Sequence, residues 1–317
     1  MGRTTSQFGL LLGVAATVMP SFAYAEDTTD NIVLKPSSAW SIDYGETSCR
    51  MGRFFGEGDD KSVLFLEQHN PSSSFDWTLA GPVLKLVKAG RKVKVQFGPG
   101  IEEREALYDD GKLAGFGRAI VSQGPFVPVR FTLQAADKKK DTERSKQEDN
   151  PAENAGASGL PELDTTTGKS IDWLSIGSGN KQKIILELGN MKKPFMAMNE
   201  CMESLVKYWG LDPEQQKHRS KVPVWTNKFA AVKTILETYP AEALRAGASA
   251  EFNIRIMVDD KGRPTDCVLT NVTTADAFGK NSDVCKIIMA RAKFEPALDQ
   301  DGEPLASYFT TRLVYST

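Results

Sequence analysis

Residues 254–272 read IRIMVDDKGRPTDCVLTNV. Together with Phe252 just before them, Ile254, Ile256 and Val258 fall on alternate positions, so they share one face of a strand. Asp260-Lys261-Gly262-Arg263-Pro264 reads as a turn, with Gly262 able to take a positive φ. On the return strand Val268, Thr270 and Val272 line one face, and Cys267 and Leu269 line the other. A helix is predicted from near Ser282, because Cys285, Ile288, Met289 and Ala292 follow at helical spacing. Pro296 ends it, Asp301-Gly302 turns the chain, and SYFTTRLVY (residues 307–315) supplies a last alternating strand. The order is β-β-α-β, in which a helix across three antiparallel strands buries its apolar stripe on one sheet face.

Outward from this unit, the chain has 317 residues and opens with MGRTTSQFGLLLGVAATVMPSFAYAED. One early charge, Arg3, precedes an uncharged apolar run. Pro20 breaks the run, and Ala23-Tyr24-Ala25 offers small residues where a signal peptidase reads. Residues 1–25 are therefore expected to be a secretory signal cleaved before Glu26. The rival is a retained anchor, since residues 8–25 reach the lower edge of a membrane span. Cleavage leaves 38 basic and 41 acidic side chains, net −3. So balanced a surface gives no field to gather nucleic acid or an anionic membrane.

A chain of this length suggests two domains. Residues 26–37 look like a short polar lead. From Ala39 to about Gln134 the pattern is that of strands. Val63 and Phe65 alternate with Leu64 and Leu66; Phe75, Trp77 and Leu79 repeat every second residue. So do Val93, Val95 and Phe97, and again Val129, Phe131 and Leu133. GEGDD, FGPG and YDDGK separate these runs, which suggests an antiparallel sandwich or barrel. Residues 136–170 are charged or small and bury too little surface to offset their ordering entropy, so a disordered insertion is expected there. Order is expected to resume at Ile171, with a strand within Lys183–Leu188. A helix follows, with Phe195, Met198, Met202, Leu205 and Trp209 as its packed stripe. Residues 38–212 are read as one β-rich domain, residues 213–228 as a linker, and residues 229–317 as the second domain. The fold class is thus α+β.

Cys49, Cys201, Cys267 and Cys285 are the four cysteines. An even number after a secretory signal argues for disulfides in an oxidising compartment. Four cysteines allow three connectivities, and sequence alone does not select one. The pairing adopted is Cys49 with Cys201 and Cys267 with Cys285. His69 and His218 are the two histidines and both lie in polar segments, so no metal site and no cofactor is expected. No G-x-S-x-G elbow or H-E-x-x-H occurs; SIGSGN (175–180) comes nearest. Asp164-Thr165-Thr166-Thr167-Gly168 is a poor match to an aspartic-protease loop. No catalytic residue is assigned.

The C-terminal stretch resembles the C-terminal domain of the TonB family. The likeness runs from Tyr239 to Tyr315. Tyr239-Pro240 precedes ALRAG. A strand ends in Val258-Asp259 and a Gly262-Arg263 turn. A helix ends in Arg291-Ala-Lys-Phe294-Glu-Pro296-Ala, followed by Asp-Gly, and a last strand closes the unit. The resemblance implies a β-strand grip on a short receptor segment, because an exposed strand edge offers unpaired N–H and C=O groups. The implied binding residues are Tyr239 and Pro240 with the final strand: Tyr308, Phe309, Thr310, Thr311, Arg312, Leu313, Val314 and Tyr315. The segment before Tyr239, Leu236-Glu237-Thr238, lacks the polar amide of well-known members. A Pro-rich spacer is also missing. The implied protein is periplasmic and non-enzymatic, with an envelope protein or peptide strand as partner, an outer-membrane receptor among the candidates. A homodimer by strand exchange is compatible with the likeness. The alternatives are a transducer that keeps its anchor, hence its membrane association, and an envelope enzyme with its site in the N-terminal domain.

Overall fold

The computed structural model describes residues 1–2, 31–88, 90, 92–122, 158–177, 182–238, 241–245, 250–274 and 283–315. Residues 3–25 of the expected signal, Val129, Phe131, Leu133 and residues 136–157 of the expected insertion lie outside them, as do Tyr239, Pro240 and Ser282.

The first part of the chain runs β1 (Ile32–Leu34), β2 (Ser41–Tyr44), β3 (Cys49–Phe55), β4 (Ser62–Gln68), β5 (Asp76–Ala80), β6 (Lys92–Pro99), β7 (Arg104–Leu107), β8 (Asp109–Leu113) and β9 (Gly117–Ser122). It continues through α1 (Thr165–Lys169), β10 (Ile171–Gly177), β11 (Lys183–Glu187) and α2 (Lys192–Tyr208). Among the described residues these strands form two sheets, ordered β2-β3-β4-β5-β9-β8 and β1-β11-β10-β6-β7. The first is antiparallel throughout, and in the second only the pairing of β1 with β11 is parallel.

Alternation explains how the sheets meet. Leu64, Leu66, Trp77 and Leu79 point inward from one sheet, and Val93, Val95, Phe97, Leu174 and Ile176 from the other, into one core. The stripe of α2 joins that core through Phe195, Met198, Met202 and Leu205. Gly210, at φ 83°, ends the helix, with Leu211 N donating to Val206 O at 3.2 Å. The Cys49–Cys201 disulfide fastens α2 to β3.

Three expectations need correction here. The lead is not wholly polar coil: Ile32-Val33-Leu34 pairs with β11, and Leu34 is buried. YDDGK is not a separator, since Asp109–Leu113 is the edge strand β8; a charged, exposed strand at an edge resists stray pairing. The insertion is ordered from residue 158 onward. Leu160 and Leu163 are buried, and the buried Asn199 side chain bonds both N and O of Leu163 at 2.9 Å. Asp164 then caps α1 by accepting from Thr166 N at 2.8 Å.

The second part runs α3 (Pro213–Lys217), β12 (Val224–Trp225), α4 (Lys228–Glu237), α5 (Ala241–Arg245), β13 (Ala250–Val258), β14 (Pro264–Thr274) and α6 (Val284–Arg291). It ends with β15 (Phe294–Glu295), β16 (Ala297–Leu298), β17 (Pro304–Leu305) and β18 (Ser307–Tyr315). The principal sheet is ordered β14-β13-β18 and antiparallel. Phe252, Ile254, Ile256 and Val258 are buried on one face, as the alternation requires. A bulge between Asn253 and Ile254 places Leu269 opposite Ile254 and Cys267 opposite Ile256, so both reach the core side. Asp259 closes the turn: its carboxylate accepts from the Lys261 and Arg263 amides at 2.9 and 2.8 Å. The helix stripe differs from expectation by one step. Val284, Ile288 and Ala292 are buried while Met289 is exposed.

Residues 213–228 are not a slack linker. They fold as α3 and β12, and β12 pairs with β15. Gln216 and Arg219 are buried here. Composition hid this because the burial of these polar groups depends on partners some 90 positions away, at Ala306 and Ser307.

Candidate functional site

β18 stands at the end of its sheet and, among the described strands, pairs with β13 alone. Its side chains alternate. Phe309, Thr311 and Leu313 lie opposite Ile256, Ile254 and Phe252 and are buried on the helix side of the sheet. Above that side runs α4. Its placement begins at Asn227, whose Oδ1 accepts from Trp225 Nε1 at 3.0 Å and from Lys293 N at 2.9 Å. The Asn227 amide also donates to Arg291 O at 2.8 Å, so the start of α4 is tied to the end of α6. The Cys267–Cys285 disulfide in turn ties α6 to β14. Trp225, Phe294 and Phe309 pack as an aromatic cluster, with centroids 5.3 to 6.0 Å apart.

Between α4 and β18 these restraints leave a groove of about 300 Å³. Ile254 and Ile288 form its floor. Val232, Ile235 and Leu236 of α4 form one wall and Thr311, Arg312 and Leu313 of β18 the other, with Trp225 and Lys228 completing the lining. Lys228 and Arg312 bring charge to an otherwise apolar lining, and Thr311 brings a hydroxyl whose Oγ1 is buried with no hydrogen-bond partner among the described residues. Leu236 and Val232 also border a shallower depression of about 360 Å³ that reaches Phe229, whose side chain is 82% exposed. A groove of this kind beside a sheet edge can accept the side chains of an extended chain laid along that edge.

The expected binding residues separate. Thr311, Arg312 and Leu313 reach the groove. Phe309 belongs to the core beneath it, and Tyr308 faces the opposite side of the sheet. The α4 wall was not anticipated. Its trace in the sequence is the spacing of Phe229, Val232 and Leu236 at i, i+3 and i+7, an apolar stripe that a short helix leaves partly exposed.

Beyond the groove, Ser48, just before β3, lies near Glu67 of β4 and His69, just after it. Ser48 Oγ donates to Glu67 Oε1 at 2.8 Å, and His69 Nδ1 has no hydrogen-bond partner among the described residues. The Ser48 hydroxyl is thus engaged by the Glu67 carboxylate and not by the imidazole. Burial pushes the His69 imidazole below its usual range; Glu67 opposes this and Arg50 adds to it. Among the described residues, no group of three or more His, Cys, Asp or Glu side chains is placed to hold a metal ion. Among them, too, no helix is long and apolar enough to cross a membrane.

Residues 236–317 match the family described as the Gram-negative bacterial TonB protein C-terminal domain. The match begins at the end of α4 and takes in the three-stranded sheet, so this part of the chain is a TonB-type C-terminal domain. No curated protein and no solved structure matches the chain.

Proposed function

We infer that the TonB-type domain receives an extended segment of a cell-envelope protein as a strand added beside β18. Alternate side chains of that segment enter the groove under α4, and backbone groups along β18 supply the pairing. The observation that carries this reading is the apolar groove that opens between α4 and the sheet's last strand. The protein then acts as a periplasmic binding module, exported by its leader and oxidised at both cysteine pairs, and not as a catalyst.

The test is site-specific photo-crosslinking in native envelope extracts. A photo-reactive residue in place of Leu236, at the groove lip, is expected to capture an envelope protein through one short segment. Leu236→Glu, paired with a photo-reactive residue at Phe229, is expected to abolish that capture. Equal capture from a control position on β8 would overturn the reading.

A further inference from the structure

The sheet of the TonB-type domain has a second face, and the chain itself covers it. Arg255 and Met257 alternate with the core residues of β13 and so point away from α4 and α6. Met257 and Tyr308 pack against Leu160, Val206 and Leu211 of the N-terminal part. The Arg255 guanidinium lies over the Trp209 ring, 4.0 Å from its centroid. Trp209 meets Tyr308 edge-on at 5.3 Å.

The two halves of this junction are unequal. On one side, hydrogen bonding is dense. Arg219 Nε donates to Gly159 O at 2.9 Å, and its Nη1 donates to Gln216 Oε1 and Ser307 Oγ at 3.2 and 2.9 Å. Ser307 Oγ donates to Gln216 Oε1 at 2.7 Å, and Gln216 Nε2 donates to Ala306 O at 2.9 Å. On the other side, Trp209 Nε1 and Arg255 Nε and Nη1 are buried, and none has a hydrogen-bond partner among the described residues. Arg255 is 5% exposed. Burial holds its pKa below the usual value; Asp266 and Tyr208 act against that from a distance without bonding to it. A buried donor without a partner forfeits its full hydration, and a buried cation does so more severely. The ring face of Trp209 returns part of this. Closing the contact therefore works against three orphaned donors clustered in one place.

We propose that this junction is a latch of two parts. The Arg219 node holds the N-terminal part to the start of β18, while the Trp209–Arg255 contact opens and closes. Opening returns the guanidinium and the indole N–H to water and uncovers the second face of the sheet. Arg255 and Trp209 do not line the groove, so the latch is a site apart from it.

The test uses the full chain with ¹⁵N-labelled tryptophan and hydrogen exchange read by NMR. Trp77 is the internal reference: its Nε1 is also buried with no hydrogen-bond partner among the described residues, but it sits within the core of the N-terminal sheets. The Trp209 indole proton is expected to exchange at least about a hundredfold faster than that of Trp77, since it needs only the local opening. Arg255→Met keeps an unbranched chain over the ring and removes the unpaired cation. It is expected to slow Trp209 exchange about tenfold or more while Trp77 is unchanged. If Arg255→Met does not fold, Trp209→Phe removes the indole donor instead, and oxidation of Met257, whose side chain lies on the covered face, by dilute peroxide is then expected to be slower than in the unaltered chain. Exchange of Trp209 as slow as Trp77, or no slowing in the variant examined, would overturn the proposal.

Discussion

Gly262→Ala tests the turn on which the C-terminal sheet depends. Gly262 has φ 75°, a region that costs a residue with a Cβ about 1–2 kcal/mol. A Cβ there would also stand 2.1 Å from Phe294 O and 3.0 Å from Phe294 C, which are backbone atoms and cannot swing aside. Relief requires β15 to move. That loosens the bond from Phe294 N to Gly262 O, now 3.2 Å, for about a further 1 kcal/mol, and disturbs the ring stacked on Trp225. The expected loss is about 2–3 kcal/mol from these two parts, and more if the Phe294 ring also shifts. Gly302→Ala is the control. Its φ is 84°, yet nothing lies within 4 Å of the added carbon, so only the conformational part, about 1–2 kcal/mol, should appear. The assay is native-state hydrogen exchange of the Ile254 and Ile256 amides in the full chain, which reports opening of this sheet without assuming two-state unfolding. Equal losses from the two substitutions would refute the steric argument, leaving backbone conformation as the whole effect.

Ser307→Ala removes the hydroxyl that joins Arg219 to Gln216, and by leaving a buried donor short of a partner is expected to cost about 1–3 kcal/mol in the same exchange assay. Paired serine substitutions should rank the disulfides in thermal unfolding. Loss of Cys49–Cys201, which spans 152 residues, is expected to cost about 5 kcal/mol by chain entropy, and loss of Cys267–Cys285, which spans 18, about 3 kcal/mol; the reverse order would contradict this. For Asp259, burial tends to raise the pKa, but the Arg263 and Lys261 amides and the Arg263 guanidinium outweigh it and hold the group below its ordinary value. Its contribution is thus fully present above about pH 4, near the unfolded value, and fades as pH falls through the lower folded value. Asp259→Asn should flatten the acid limb of a stability–pH curve below that point, and an unaltered limb would show that Asp259 adds nothing there.

Much of the fold was legible in the sequence where a periodic pattern decides burial. Alternation at Phe252–Val258 set the buried face of β13, and helical spacing from Phe195 to Leu205 set that of α2. The segments missed are those whose burial rests on distant partners. Ile32-Val33-Leu34 is too short to show a period, and it is a strand because β11 offers an edge. Leu160 and Leu163 stand in a polar, low-complexity stretch, and Asn199, 36 residues beyond Leu163, holds them down. Gln216 and Arg219 read as solvent-facing until Ser307 is placed beside them. The groove was half legible, since its strand wall follows from the last alternating run. Its helical wall depends on how α4 is tied to α6 through Asn227, a tertiary bond with no local signature.

The alternation of β18 bears on how the two functional readings are to be separated. Thr311 and Leu313 face the groove, whereas Tyr308, three residues before Thr311, is buried under Arg219 and against Trp209. Burial raises the Tyr308 pKa, opposed by Arg219, as fits a phenol enclosed in the junction. A substitution at Tyr308 would therefore perturb the latch first and reach strand binding only through the shared backbone. Substitutions at Leu236 or Thr311 would perturb the groove and leave the Trp209–Arg255 contact intact. If Tyr308→Phe and Leu236→Glu both abolished partner capture, but only the first changed Trp209 exchange, the latch and the groove would be coupled along β18. If Tyr308→Phe changed Trp209 exchange alone, the strand would serve two independent contacts, one on each face.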